Sequence, residues 1–347
     1  MTPTTDKTDK ARTAGSDRDR KAEHIHLALE ERMQVPLRSF DRYYFNHQAL
    51  PEIDLAEIDT GVQFLGRALQ APLLISCMTG GTEEATIVNR RLATAAEEMK
   101  IAVGVGSQRQ AIEDPALAAS FEVRRYAPSV PVLANLGAVQ LNYGFGVDQC
   151  RAAVEMVSAD ALVFHLNPLQ EAIQPEGQCD FRGLLGKMSE VADQLDVPVI
   201  AKEVGSGISA TTATALRDAG IGIIDCAGAG GTSWALIEAA RARDPEIGDI
   251  YGDWGIPTPE NIRQLSRVEG IQIIGSGGVR TGLDAAKAIA LGADLVGMAK
   301  PFLEAAMDSS AAVVAKGQRA IRELRVAMFC TGAGTLDELQ RVELQRR

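Results

Sequence analysis

An α/β fold of the (β/α)8 class, a TIM barrel, is predicted by three features of the sequence. Eight short apolar runs recur along the chain, helical patterns lie between them, and no second fold signature accompanies them in 347 residues. Such a barrel takes about 250 residues as one domain, and extensions absorb the rest. The runs are apolar throughout rather than alternating, as in parallel strands buried on both faces. A doubly wound open sheet is the structural alternative.

In chain order the strands are LLISCM (73–78), IAVGVGS (101–107), PVLANLG (131–137), ALVFHLN (161–167), PVIAKEV (198–204), IGIIDCAG (221–228), IQIIGSGG (271–278) and DLVGMA (294–299). Their starts lie 23 to 50 residues apart, enough for a strand and a helix each time. Helices are expected at NRRLATAAEEMK, VDQCRAAVEMVS, GLLGKMSEVADQL, ATTATALRDAG and GLDAAKAIALGA. Residues 1–19 are polar and expected to be disordered. Residues 20–70 form an arm and barrel cap that opens on the amphipathic HIHLALEERM; residues 71–347 form the barrel and a C-terminal helical extension.

Composition narrows the function. The net charge of −11 argues against a general nucleic-acid binder, which needs a basic face. There is no apolar run of about 18 residues to span a membrane, and the first 21 residues lack the apolar stretch of a secretory signal. Five scattered cysteines without a CxxC suit a reducing cytoplasm and the role of small buried hydrophobes.

The polar residues of the strands gather where such barrels carry function, at the C-terminal strand ends. They are Met78-Thr79-Gly80, Ser107-Gln108-Arg109, Asn135, His165-Leu166-Asn167 with Gln170 and Glu171, Lys202, Thr232, and Gly278-Val279-Arg280. Gly275, Gly277 and Gly278 would let backbone N–H groups approach an anion, with the helix start near Thr281 and the Ala299-Lys300 pair beside them. That reads as a phosphate site; a glycine turn built for close approach is the plainer reading. Lys202 within an apolar strand would serve either as a cationic partner of an electron-rich ring or as a salt bridge to a neighbouring strand. Glu171 beside Asn167 and Gln170 suits Mg²⁺ held by one carboxylate, waters and ligand oxygens. Arg20 and Lys21 suit a diphosphate, although a charge run is commonly a solvated face.

Together the segments RKAEH (20–24), MTGGT (78–82), GSQR (106–109), HLNPLQE (165–171), KEVGSGIS (202–209), GAGGTSW (228–234), WGIPT (254–258) and the stretch from Gly275 to Leu303 resemble the type 2, FMN-dependent isopentenyl-diphosphate isomerase family. The likeness runs from Arg20 to about Leu339; the glycine-rich stretch alone is shared by many FMN barrels. It implies interconversion of isopentenyl and dimethylallyl diphosphate by a 1,3-proton shift, with FMN, Mg²⁺ and NADPH as reductant of the flavin. It implies FMN contacts at Met78, Thr79, Gly80, Ser107, Asn135, Lys202, Thr232, Gly278, Val279, Arg280, Ala299 and Lys300. It implies diphosphate contacts at Arg20, Lys21, Ser107, Gln108, Arg109, His165, Asn167 and Gln170. Glu171 would take Mg²⁺, and Gln170, Glu238 and His165 would stand at the reaction centre. Homo-oligomers, tetramers or octamers, are implied as well. Ala227 departs from the pattern, since relatives often place there a hydroxyl that touches FMN. Two other readings stay open: an FMN oxidoreductase of the 2-hydroxy-acid type and a non-catalytic phosphate-ligand barrel. The first would need a histidine on the later strands, and the four histidines are His24, His26, His47 and His165.

Overall fold

A computed structural model describes residue 21, residues 23–35 and residues 39–347. The expected tail over 1–19, and Arg20, lie outside the described residues. All eight expected strands form: β1 Leu73–Ile75, β2 Ala102–Gly104, β3 Val132–Gly137, β4 Ala161–Leu166, β5 Val199–Glu203, β6 Ile223–Asp225, β7 Gln272–Gly275 and β8 Leu295–Met298. Each pairs in parallel with its sequence neighbour, and β8 returns to β1. That closure excludes the open sheet and leaves the barrel itself without a strand edge.

Helices surround the barrel: α1 Glu83–Met99, α2 Val147–Val157, α3 Pro168–Ile173, α4 Leu184–Gln194, α5 Ala210–Asp218, α6 Trp234–Ala242, α7 Thr258–Leu265, α8 Gly282–Ala290, α9 Lys300–Asp308 and α10 Ser310–Thr331. Their starts follow local chemistry. Thr82, Ser209, Ser233, Thr281 and Ser309 each accept a backbone N–H of the first turn, which satisfies a donor the helix cannot. Because successive strand side chains point to opposite faces, two cores arise. Leu74, Ala102, Leu133, Val163, Ile200, Ile274 and Leu295 fill the barrel interior. Leu73, Ile75, Val103, Leu162, Phe164 and Ile224 face the helices.

The arm and a hairpin close the two mouths. The antiparallel hairpin Val62–Phe64 and Arg67–Leu69 sends Phe64 and Leu69 into the interior core. Arg67 Nη2 lies 2.7 Å from Asp160 Oδ1, just before β4, so the hairpin plugs the N-terminal mouth. The arm is helical over 23–29 and crosses the C-terminal mouth. It is fastened there by Val35 N–H to Gly231 O at 2.8 Å and Ser233 N–H to Met33 O at 2.8 Å. No helix among the described residues is long and apolar enough to cross a membrane.

Candidate active site

Period-two alternation sets the floor of the site. Going up each strand, the inward positions pass from apolar residues to Asn135, His165, Lys202, Asp225 and Ser276. Lys202 Nζ sits 3.2 Å from Asp225 Oδ2 and donates to Glu203 O at 3.1 Å. Burial pulls the Lys202 pKa down, but Asp225 and its other neighbours outweigh this and hold it above its ordinary value. The salt-bridge reading of Lys202 holds, since it is bridged to the next strand, and the side chain also lines the cavity. His165 Nδ1 lies 2.8 Å from Asn135 Oδ1, which leaves Nε2 for a ligand. Burial, then the charges of Lys202, Arg109 and Lys21, depress His165 to about 4, so the ring is neutral at pH 7. Burial pushes the Cys77 thiol up to about 11, so it is not a thiolate nucleophile.

Above this floor lies a cavity of about 290 Å³. One end is built from backbone. Gly277 and Gly278 have φ of +98° and +73°. A Cβ on Gly278 would stand 2.2 Å from Gly230 O, so glycine is required there by the loop's own close approach. Arg280 Nη1 donates to Gly230 O at 3.2 Å, and Lys300 Nζ lies 2.9 Å from Glu31 Oε1 on the arm. The N-terminus of α8 does not complete an anion site, contrary to the sequence expectation. Asp284 Oδ2 accepts from Arg280 N–H and Thr281 N–H, and Glu323 Oε2 accepts from Gly282 N–H. The start of α9 is different: Ala299 has no side-chain cap, and it lines the cavity with Lys300.

The other end is built from side chains. Asn167 Nδ2 donates to Gln170 Oε1 at 3.1 Å and to Glu171 Oε1 at 2.9 Å. Glu171 Oε2 accepts from Gln174 Nε2 at 2.6 Å and Gln178 N–H at 2.7 Å. Gln170 Nε2 donates to Glu238 Oε1 at 2.8 Å, so the amide is fixed at both ends with one N–H left over. Glu238 is fully buried behind Gln170. His24 Nε2 approaches Glu238 Oε1 to 3.1 Å, and the His24 ring meets Trp234 edge-on at 5.1 Å. Burial pushes the Glu238 carboxyl up, but His24, Gln170 and Arg241 outweigh it and hold it below the usual carboxylate range. Lys21 Nζ donates to Ser107 O at 3.1 Å from the arm.

The structure brings most of the expected residues to one cavity. Lys21, Met78, Thr79, Gly80, Ser107, Arg109, Asn135, His165, Asn167, Gln170, Glu171, Lys202, Thr232, Gly278, Val279, Arg280, Ala299 and Lys300 line it, and so does Ala227. Gln108 is not among them. Its fully buried amide donates to Ala153 O at 2.8 Å and accepts from Asn135 N–H at 2.9 Å, so its side chain braces β3 against α2. Glu238 reaches the cavity only through Gln170 and His24. Sequence reasoning passed over His24, Trp234 and Asp225. The signal for Asp225 was present, since a charged residue in IGIIDCAG shares the inward period of the strand.

The family model for FMN-dependent dehydrogenase matches residues 174–346. A Nostoc sp. protein named isopentenyl-diphosphate delta-isomerase is 52% identical over 327 residues, covering 92% of this chain and 93% of its own. A Pseudescherichia vulneris protein of the same name is 48% identical over 333 residues, covering 94% and 96%. The chain belongs to the isopentenyl-diphosphate delta-isomerase family. Two mandelate oxidase structures resemble the isomerase-family chain in fold alone. The one with 3,3-difluoro-2-hydroxy-3-phenylpropionic acid has a TM-score of 0.66 at 19% identity, covering 97% of this chain and 98% of its own. The one with (S)-2-phenylpropionate has a TM-score of 0.63 at 19% identity, covering 93% and 90%.

The residues suit FMN. The backbone N–H groups of Gly278, Val279 and Ala299 have no acceptor among the described residues, and these residues line the cavity together with Arg280 and Lys300. Donors of that kind beside two cations are what a phosphate monoester needs. For Mg²⁺, no group of three or more His, Cys, Asp or Glu side chains among the described residues is arranged to hold a metal ion. A divalent cation here would therefore rely on Glu171, waters and substrate phosphate oxygens, which is an ordinary Mg²⁺ arrangement.

Proposed function

We propose that the protein interconverts isopentenyl diphosphate and dimethylallyl diphosphate, a step of isoprenoid biosynthesis, by a 1,3-proton shift beside reduced FMN. The observation that carries this reading is the two-ended cavity: a glycine-rich end of backbone N–H groups with Arg280 and Lys300 at β7 and β8, and a cation, carboxylate and amide cluster at β4 under the arm. Family membership supports the same reaction.

In this reading Gly278, Val279, Arg280, Ala299 and Lys300 would hold the FMN phosphate, and Thr232, Lys202, Met78, Thr79, Gly80, Ser107 and Asn135 would hold the rest of the cofactor. Bound and reduced, it supplies an electron-rich, water-excluding face for a developing carbocation. The diphosphate meets Arg20, Lys21, Ser107, Arg109, His165 and Asn167. His165, kept neutral by burial and then by the cations around it, presents Nε2 to the cavity on the diphosphate side. Glu171 supplies the protein ligand to Mg²⁺. Gln170 presents its spare N–H to the reacting carbons, and the Glu238 carboxylate keeps that amide oriented and can accept a proton relayed through it. Trp234 and the arm keep water out. One proton is given to the substrate and one is taken from another carbon, so no electrons are lost. NADPH serves only to reduce the flavin. A homo-oligomer, tetramer or octamer, in the cytoplasm belongs to this reading.

The test is an anaerobic assay of isopentenyl diphosphate with FMN, Mg²⁺ and catalytic NADPH. Dimethylallyl diphosphate should form in large molar excess over NADPH consumed. Formation of none, or of one reduced product per NADPH consumed, overturns the reading.

A further inference from the structure

Arg241 is not on the cavity wall, yet its guanidinium meets three carboxylates from three separate segments. Nε lies 3.3 Å from Glu23 Oε2 on the arm. Nη2 lies 2.9 Å from Glu176 Oε1, in the turn that follows Glu171. Nη1 lies 2.5 Å from Glu238 Oε2 on the same helix, α6. The Arg241 side chain is 12% exposed and that of Glu238 is 0% exposed. Each partner adjoins a working part of the site. Glu23 lies between Lys21 and His24, Glu176 closes the Glu171 turn, and Glu238 orients Gln170. Only arginine carries five donors in a rigid fork that can hold three acceptors at once.

We propose that Arg241 is a positioning residue that latches the arm, the Glu171 turn and Glu238 together, so that closure of the arm and orientation of Gln170 are one event. The inference rests on the isomerase reading above for its kinetic consequences. Without the guanidinium, three carboxylates converge with no shared counter-charge, and one of them is buried. The groups facing Glu238 are His24 from the arm and Arg241 from α6, with neutral Gln170 from α3. Glu23 and Glu176 stand beyond the guanidinium. Removing Arg241 lets burial dominate and raises the Glu238 pKa.

The experiment compares full-length, FMN-loaded wild type with Glu23→Gln, Glu176→Gln, Arg241→Gln, Arg241→Lys and the Glu23→Gln/Arg241→Gln pair. Glu23→Gln frees only the arm, so KM should rise about fivefold while kcat stays within about twofold. Arg241→Gln should raise KM as much, lower kcat about tenfold and move the acid limb of kcat/KM to higher pH. The pair should add no further KM increase, because both changes break one contact. Arg241→Lys should recover part of kcat but not the KM. Unchanged kcat and acid limb in a folded Arg241→Gln, or additive KM effects in the pair, overturns the latch. If Arg241→Gln does not fold, the single carboxylate variants decide: no KM increase in either overturns it. Trypsin cleavage after Lys21 needs no substrate. It should be about tenfold faster in Arg241→Gln or Glu23→Gln, and an unchanged rate overturns the latch. A wild type that makes no dimethylallyl diphosphate but whose arm is protected by Arg241 would instead overturn the isomerase reading alone.

Discussion

The two ends of the cavity are made of different material. The β7–β8 end is backbone: glycines at positive φ, free N–H groups and two flanking cations. The β4 end is a web of side chains, in which Asn167, Gln170, Glu171 and Glu238 fix one another. A backbone cradle depends on a few residues adjacent in sequence and is indifferent to what lies across the mouth. A side-chain web depends on residues far apart in the chain and on the arm above it. The first end suits a resident cofactor gripped by its phosphate; the second suits a substrate that enters, is enclosed and leaves.

Breaking the cradle should have the largest effect. Gly278→Val puts side-chain atoms on Gly230 O at a φ that β-branched residues avoid. FMN affinity should fall more than about a hundredfold, about 3 kcal/mol, read as FMN per protein after gel filtration. Stoichiometric FMN in the folded variant would remove the cradle from the argument. The web end should respond in KM instead. Lys21→Ala, or Arg20→Ala in the segment before it, should raise KM about tenfold or more at unchanged FMN content, since a charge-assisted contact to phosphate is worth about 1.5–3 kcal/mol. Deletion of residues 1–18 should cost almost nothing, and equal small effects from deletion and point change would make the arm a plain solvated segment. Glu171→Gln keeps the volume but not the charge, so the half-saturating Mg²⁺ concentration should rise about tenfold. An unchanged Mg²⁺ requirement would move the metal elsewhere.

Smaller effects sharpen the contrast. His165 sits at about 4 when folded, below its ordinary value near 6.5. The unfolded chain thus binds more protons between those values, and this part of the stability is present above pH 6.5 and lost as pH falls towards 4. His165→Asn should flatten that slope by on the order of 1 kcal/mol in urea unfolding of the FMN-free protein, the figure being reduced for solvent in the cavity. An unaltered slope would place the titration elsewhere. Ala227→Ser offers FMN a hydroxyl from a residue on the cavity wall and should tighten it by about 1 kcal/mol, measured by flavin titration. No change would mean that the hydroxyl has no partner there.

Gln108 shows where reading the sequence ran short. It belongs to a segment that resembles the isomerase family, yet its side chain braces a strand instead of lining the cavity. Spacing along the chain names a strand end but does not say which way a side chain turns once the helices have docked. The glycines at 277 and 278 teach the converse. Their pattern signalled a phosphate cradle, but positive φ and the near contact with Gly230 would demand glycine there in any case.

By itself the sequence determined what local chemistry determines: eight buried strands, capped helices between them, and polar residues at the C-terminal strand ends. Those follow from side-chain period, helix capping and glycine placement within a few residues. The tertiary structure decided the rest. It sealed the start of α8 with Asp284 and Glu323, plugged the lower mouth with Phe64, and brought the arm across the upper one. His24 meets Glu238 across 214 positions, and Glu23 meets Arg241 across 218. Contacts of that range depend on the closed barrel bringing the two segments together, and no spacing within either segment encodes them.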